Sequence, residues 1–459
     1  METILSALSF IVPFVVVIGI LILIHELGHF VVARWAGVGV ERFSIGFGKV
    51  LLRWRGKETE YCLSAVPLGG YVKMMGEENP LEGGGSGTVD PAKSFSLKPL
   101  PSRFLIVFAG PGMNFVLAVA IFAALYMIMG RPVLPSTLAP IREGGPAATA
   151  GLKTGDRVTA VDGFPVAHWD DLMSAIQASG GETRQITYVR DGREQRTALT
   201  PARIKVRDIF GDEREAWDIG ARPFPVKIGE VVPGEPASKA GLRVGDTVVA
   251  LEGAQVLSFD ELAEQIQKRA GKPTELTIER DGRTLTVTVV PQAVRDRGPS
   301  GQEVEIGRIG IKPVPVTLAF VRSNPIAAVG QGVLKTWDVT VVTTVGLWKI
   351  VTRRLSASNI GGPIQIAQVA GEQAKQGLAN LAFFTAAISV NLAVLNLLPV
   401  PMLDGGHLFF FVIEAIRGRP LSLRKREVAQ QVGFFLLLLL MVFAVYNDLA
   451  RLDFARFFR

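Results

Sequence analysis

Leu21-Ile22-Leu23-Ile24-His25-Glu26-Leu27-Gly28-His29 closes an almost wholly apolar run that begins near Ile4. About 20 apolar residues suffice for a helix to cross the roughly 30 Å hydrocarbon core of a bilayer, so the run reads as a membrane span with three polar groups at its end. Residues four apart on a helix share one face. His25 and His29 can therefore reach a single metal ion, with Glu26 beside them as a candidate proton acceptor. Ionisable side chains are costly in hydrocarbon and usually mark function there. Two surface histidines and a glutamate met by chance account badly for that location.

Three more stretches are long and apolar enough to span, at about Phe104–Met129, Leu381–Val400 and Val428–Tyr446. A mean hydropathy of +0.33 and 48% hydrophobic residues agree. The fold class expected is a multi-pass α-helical membrane protein with about four spans. The first span has no basic segment before it and no small-residue cleavage site, so it is expected to be retained and not removed as a secretory signal. Arg34, Arg42, Lys49, Arg53, Arg55 and Lys57 follow it, and Arg417, Arg419, Arg424, Lys425 and Arg426 crowd the link between the last two spans. Positive charge marks cytoplasmic links, which puts both termini and the long central region outside. The net charge of +7 suits the anionic headgroups of a lipid bilayer. No nucleic-acid-binding motif accompanies it, so no nucleic-acid partner is expected. Cys62 is the only cysteine, which excludes an intramolecular disulfide and a thiolate zinc site.

The central region carries an internal duplication. Pro146-Ala-Ala-Thr-Ala-Gly151-Leu152-Lys-Thr-Gly155-Asp156 returns 90 residues later as Pro236-Ala-Ser-Lys-Ala-Gly241-Leu242-Arg-Val-Gly245-Asp246. Arg190-Asp191-Gly192-Arg193 returns as Arg280-Asp281-Gly282-Arg283, in the same register. Each copy reads as a short helix, a Gly-Asp turn, a strand, a helix and a hairpin, because Asp-Gly between alternating strands is a strong hairpin signal. The string A-G-L-x-x-G-D before a hydrophobic strand resembles bacterial PDZ domains, which implies peptide binding by strand addition, with C-terminal peptides as possible ligands. Plain spacers or size filters are the alternative. His168, inside the first copy, reads as an ordinary structural residue.

Two histidines do not complete a catalytic zinc site, which usually takes three protein ligands. The third span offers Asn391-Leu-Ala-Val-Leu-Asn396-Leu-Leu-Pro399-Val-Pro401-Met-Leu-Asp404-Gly405-Gly406-His407. Pro399 and Pro401 remove backbone donors, and Gly405-Gly406 are poor helix formers, so the chain is expected to leave helical form near Asp404. Such a break lets Asp404 turn toward the metal. Zn2+, ionised Asp404 and ionised Glu26 then sum to zero formal charge. A helix-capping role for Asp404 is the competing reading, and His407 is an outside candidate.

An intramembrane H-E-x-x-H paired with N-x-x-P-x-P-x-x-D-G resembles the site-2 protease family, and the likeness runs nearly the full length. It implies a zinc metalloendopeptidase of a bacterial inner membrane, with one Zn2+ per chain bound by His25, His29 and Asp404. Glu26 would act as general base and later proton donor. It also implies single-span membrane protein substrates, of the anti-sigma factor type after a first cut outside, and remnant signal peptides. By the same likeness Tyr61–Met75, read as two short strands around Pro67 and Gly69-Gly70, resembles a membrane-dipping β-loop, with an ordinary cytoplasmic hairpin as the alternative. Its edge, Gly69, Gly70, Tyr71, Val72, Lys73 and Met74, would pair with unwound substrate. Asn391 and Asn396, flanked by Pro399 and Pro401, would hydrogen-bond the freed substrate backbone; helix packing is the alternative for both. Asn114, near Gly110-Pro111-Gly112, reads as a packing or kink residue.

The domains expected are 1–130 with spans one and two, 131–220 and 221–315 as tandem PDZ-like domains, 316–377 as an interfacial connection, and 378–459 with spans three and four. Glu82-Gly-Gly-Gly-Ser-Gly-Thr-Val-Asp90 reads as a flexible linker. A membrane-anchored PDZ scaffold with an inert metal motif is the alternative from a different class.

Overall fold

The computed structural model describes residues 2–76, 90–297, 303–316 and 318–451, so the linker expected at 82–89 lies outside the described residues. Two compact units emerge. One comprises residues 1–130, 322–352 and 357–459, and the other residues 131–321 with 353–356.

The first unit is built on helices α1 (Glu2–Trp35), α2 (Leu100–Ile128), α3 (Pro325–Val351), α4 (Pro363–Gln376), α5 (Leu378–Asn396), α6 (Asp404–Arg417) and α7 (Leu423–Arg451). Four stretches, Leu8–Trp35, Leu100–Ile128, Leu378–Asn396 and Leu423–Ala450, are long and apolar enough to cross a membrane. Their apolar side chains are not all packed inward: Leu439 and Val442 on α7 are 73% and 62% exposed, as a helix bathed in lipid requires.

Small residues bring the helices together. A Cβ on Gly28 of α1 would run into the backbone carbonyl of Ala109 on α2, and one on Gly332 of α3 would meet Val119 and Ala123 of α2. Helix α3 packs along α2 and α5, with Lys335 over the Phe383 ring and Thr343 Oγ1 donating to Asn391 Oδ1 at 2.6 Å. Sequence alone gave this stretch only as interfacial or partly inserted helices. It is one 27-residue helix docked on two spans. Asp448, near the end of α7, accepts from the amides of Gly362, Ile364 and Gln365 at 2.9–3.1 Å and so satisfies the open amides at the start of α4.

Between α1 and α2 lie two long bent strands, β1 (Val40–Arg55) and β2 (Glu60–Met74). Each folds on itself. Arg42 pairs with both Lys73 and Glu60, and Ser44 with both Tyr71 and Cys62, while Arg53 returns to Cys62. The result is a four-segment sheet in the order 70–74, 40–47, 60–66, 50–55. Gly46 and Gly48, at φ 88° and 83°, make the bend in β1. The reading of 61–75 as two strand pieces holds for the backbone, but the first half of β1 lies between them.

The second unit shows the duplication as structure. Strands Phe164–Pro165, Arg157–Val161, Arg184–Arg190 and Arg193–Leu199 form a sheet in that order, with helix Trp169–Ala178. Ala254–Gln255, Thr247–Leu251, Thr274–Arg280 and Arg283–Val289 repeat it with helix Phe259–Gln267. Asp191-Gly192 and Asp281-Gly282 take positive φ at both turn residues, as two-residue hairpins demand. The match extends to hydrogen bonds: Arg190 holds Asp156 at 2.7 Å and the Gly151 carbonyl at 2.8 Å, and Arg280 holds Asp246 at 2.7 Å and the Gly241 carbonyl at 2.9 Å. Each copy has its own apolar core, one around Leu172, Ile176 and Ile186 and the other around Leu262, Ile266 and Leu276. Arg142 joins the copies through Glu261 at 2.9 Å. His168 sits at the start of helix Trp169–Ala178.

Candidate metal centre

His25 and His29 face the same way from α1, and Asp404 meets them from the first position of α6. Asp404 Oδ2 lies 3.1 Å from His25 Nε2, Asp404 Oδ1 lies 3.5 Å from His29 Nε2, and the two Nε2 atoms are 3.3 Å apart. Three donors bound tetrahedrally to zinc at about 2.0–2.2 Å must stand roughly 3.3–3.6 Å from one another. The two imidazole nitrogens and the Asp404 oxygen facing each of them stand at nearly those separations, and one donor atom from each residue lies within 4.8 Å of the others, so the cluster suits one ion, with two imidazoles and a carboxylate a chemically apt set. His29 Nδ1 is 2.9 Å from the Ile106 carbonyl, which fixes the proton there and leaves Nε2 as the donor atom. Glu26 is 9% exposed and stands beside the triad.

Several features bring Asp404 to this place. Helix α5 ends at Asn396, and a turn over 397–403 leads into α6, which Asp404 starts. The sequence suggested that the chain leaves helical form near Asp404, with Gly405-Gly406 as breakers. The break comes earlier, and both glycines sit in the first turn of a new helix. A Cβ on Gly405 would strike the Leu397 and Leu398 carbonyls, and one on Gly406 the Val400 carbonyl, so their role is close approach. Met402 in the turn holds φ at 94°, an unfavourable value for a residue with a side chain. Farther along α6, Glu414 pairs with Arg103 of α2 at 2.6 Å, and Arg103 lies over the Phe411 ring.

The triad opens on a cavity of about 900 Å3. Gly70, Tyr71, Val72 and Met74 of β2 form one wall, and Asn396, Met402 and His407 lie around Asp404. No strand pairs with Gly70–Val72 on the side away from β1 among the described residues. Gly70 passes so near α1 that a Cβ would sit 2.9 Å from Glu26 Cγ. Asn391 does not line the cavity; its amide oxygen takes the Thr343 hydroxyl. Gly69, Lys73, Pro399 and Pro401 are likewise absent from the wall, Gly69 lying against the Phe47 ring.

A model of peptidase family M50 matches residues 13–440. The chain belongs to this family. It is 36% identical over 465 residues to the regulator of sigma-E protease RseP of Escherichia coli, an alignment covering 98% of this chain and 100% of that one. It is 38% identical over 456 residues to a protein named as a zinc metalloprotease in Ralstonia nicotianae, covering 96% and 98% of the two chains. A similarly named protein of Neisseria meningitidis is 35% identical over 448 residues, covering 96% and 98%.

This M50 peptidase is thus a zinc metalloendopeptidase of the site-2 type. Sequence reasoning missed one wall of its cavity. Glu427, Gln430, Gln431, Phe434 and Phe435 project from α7 toward the site. The signal was present, because residues spaced three and four apart share a face, and two adjacent amides at the start of an apolar span need polar company. Gly110 was given no role in the sequence reading. A Cβ there would collide with His29 Nε2 and come within 2.9 Å of His25 Cε1.

Proposed function

We propose that this chain hydrolyses peptide bonds within the membrane segments of single-span proteins, using one zinc ion per chain held by His25, His29 and Asp404. The observation that carries the reading is the ligand triangle, joined from two distant parts of the sequence and open to a cavity with a strand edge in its wall. Zinc bound there supplies Lewis acidity, lowering the pKa of a water and polarising the scissile carbonyl. Glu26 takes a proton from the attacking water as the new C–O bond forms. It passes that proton to the amide nitrogen as the C–N bond breaks.

A substrate helix must unwind first. Gly70–Val72 offers backbone partners to the unwound segment by strand addition. Asn396 faces the same space and supplies side-chain hydrogen bonds to backbone groups that would cost several kcal/mol if left unpaired. Asn391 acts less directly, steadying α5 against α3. The Escherichia coli relative is named for sigma-E regulation. On that likeness the substrates here are membrane proteins of the anti-sigma factor type already trimmed outside, together with signal peptide remnants. The tandem repeat is a PDZ-like pair on the outer face of an inner membrane that excludes bulkier, untrimmed substrates.

Purified enzyme and a single-span test protein decide between this reading and a non-catalytic scaffold. Glu26→Gln should retain zinc and lose cleavage by at least about a hundredfold. Wild-type protein that holds no zinc and cuts nothing would establish the scaffold instead.

A further inference from the structure

Asn114 lies in the middle of α2, is 0% exposed, and presents its amide to the back of the His25 ring. Its Nδ2 is 3.3 Å from His25 Nδ1, while its Oδ1 is buried with no hydrogen-bond partner among the described residues. A buried orphan oxygen is costly and calls for an explanation. The other face of His25 supplies it. Nε2 points at Asp404 and His29, so a His25 that binds metal there must present a lone pair on Nε2 and carry its proton on Nδ1. That proton needs an acceptor, and an amide NH2 is not one. The two ends of an amide are nearly isosteric. A half-turn about the Cβ–Cγ bond therefore brings Oδ1 onto the Nδ1 proton, satisfying the oxygen and the ring together.

We infer that Asn114 is a positioning residue that accepts the His25 Nδ1 proton through Oδ1 and so turns the Nε2 lone pair toward the metal; this rests on the zinc reading above. The Ile106 carbonyl does the same for His29, so α2 supplies the outer partner of both histidines. The Ser389 hydroxyl, donating to the Asn114 backbone carbonyl at 2.8 Å, ties that stretch of α2 to α5.

A packing role and a positioning role rank substitutions in opposite order. Leucine has nearly the shape of asparagine but accepts nothing. Aspartate accepts the proton but adds a charge that mere packing would reject. Full-length wild type, Asn114→Leu and Asn114→Asp would be compared in detergent by zinc retention against a graded chelator. Visible absorption of the cobalt-exchanged proteins and thermal unfolding would accompany it. The inference expects Asn114→Leu to bind zinc about 10–100-fold more weakly with an altered cobalt band, and Asn114→Asp to stay within a few-fold of wild type with its band preserved. It is overturned if Asn114→Leu holds metal as tightly as wild type, or if Asn114→Asp loses as much as Asn114→Leu. Should Asn114→Leu fail to fold, the Asn114→Asp arm decides alone. Wild type without bound zinc would refute the metal reading itself, a result distinct from either.

Discussion

Gly110 sets how near α2 can come to the two histidines, because even a methyl group in its place would occupy the position of the His29 ring. Gly110→Ala should therefore weaken zinc binding at least about tenfold and abolish cleavage, while α1 and α2 remain helical; metal analysis beside circular dichroism checks it. Retained zinc at wild-type affinity would show that the ring can move aside. The contrast between Gly110 and Asp404 explains what the sequence could disclose. His25, Glu26, His29 and Asp404 could be singled out in the sequence because hydrolysis at a metal calls for those residue types at those spacings, and the structure brings His25, His29 and Asp404 together. Gly110, Gly405 and Gly406 carry no chemistry of their own, and their importance lies in distances to backbone far away in sequence. Local propensity therefore misread the last two as helix breakers.

The sheet shows the same limit at the level of elements. Strand character in 61–75 was visible from alternation and turn residues, whereas the insertion of 40–47 between its halves depends on long-range register. The edge segment 70–74 reaches the cavity only because of that insertion. Proline at position 72 removes a backbone donor from that segment and fixes its φ. Val72→Pro should keep zinc, whose proposed ligands all lie on helices, and lose at least about tenfold in cleavage of a membrane substrate. Equal turnover of the variant and the wild type would rule strand addition out. The α7 wall was unread for a different reason: amphipathic patterning shows that Glu427, Gln430 and Gln431 share a face, but not which neighbour that face meets.

Across the whole molecule, each copy of the repeated unit holds one buried carboxylate against an arginine, Asp156 with Arg190 and Asp246 with Arg280. Burial disfavours ionised Asp246, but hydrogen bonds from Arg280 and the Arg243 amide outweigh it and hold the carboxyl below the usual range. The unfolded chain then binds the proton more readily, so the stabilisation is complete above the ordinary carboxylate pKa of about 4 and is lost as pH falls through the lower folded value. Resistance of residues 131–321 to limited proteolysis in the full-length protein should decline below about pH 4. Asp246→Asn should cost on the order of 1–3 kcal/mol at pH 7 and flatten the acid dependence. A variant as acid-sensitive as wild type would place the sensitivity elsewhere.

The distance in sequence between the proposed ligands also bears on how the molecule is made. His29 leaves the ribosome 375 residues before Asp404 does, and His25 earlier still. A polypeptide still in synthesis therefore carries the paired imidazoles and the glutamate without the carboxylate that completes their grip. On the proposed ligand set, translation itself would act as a safety catch, holding the blade harmless toward neighbouring nascent helices until the segment carrying Asp404 has been made.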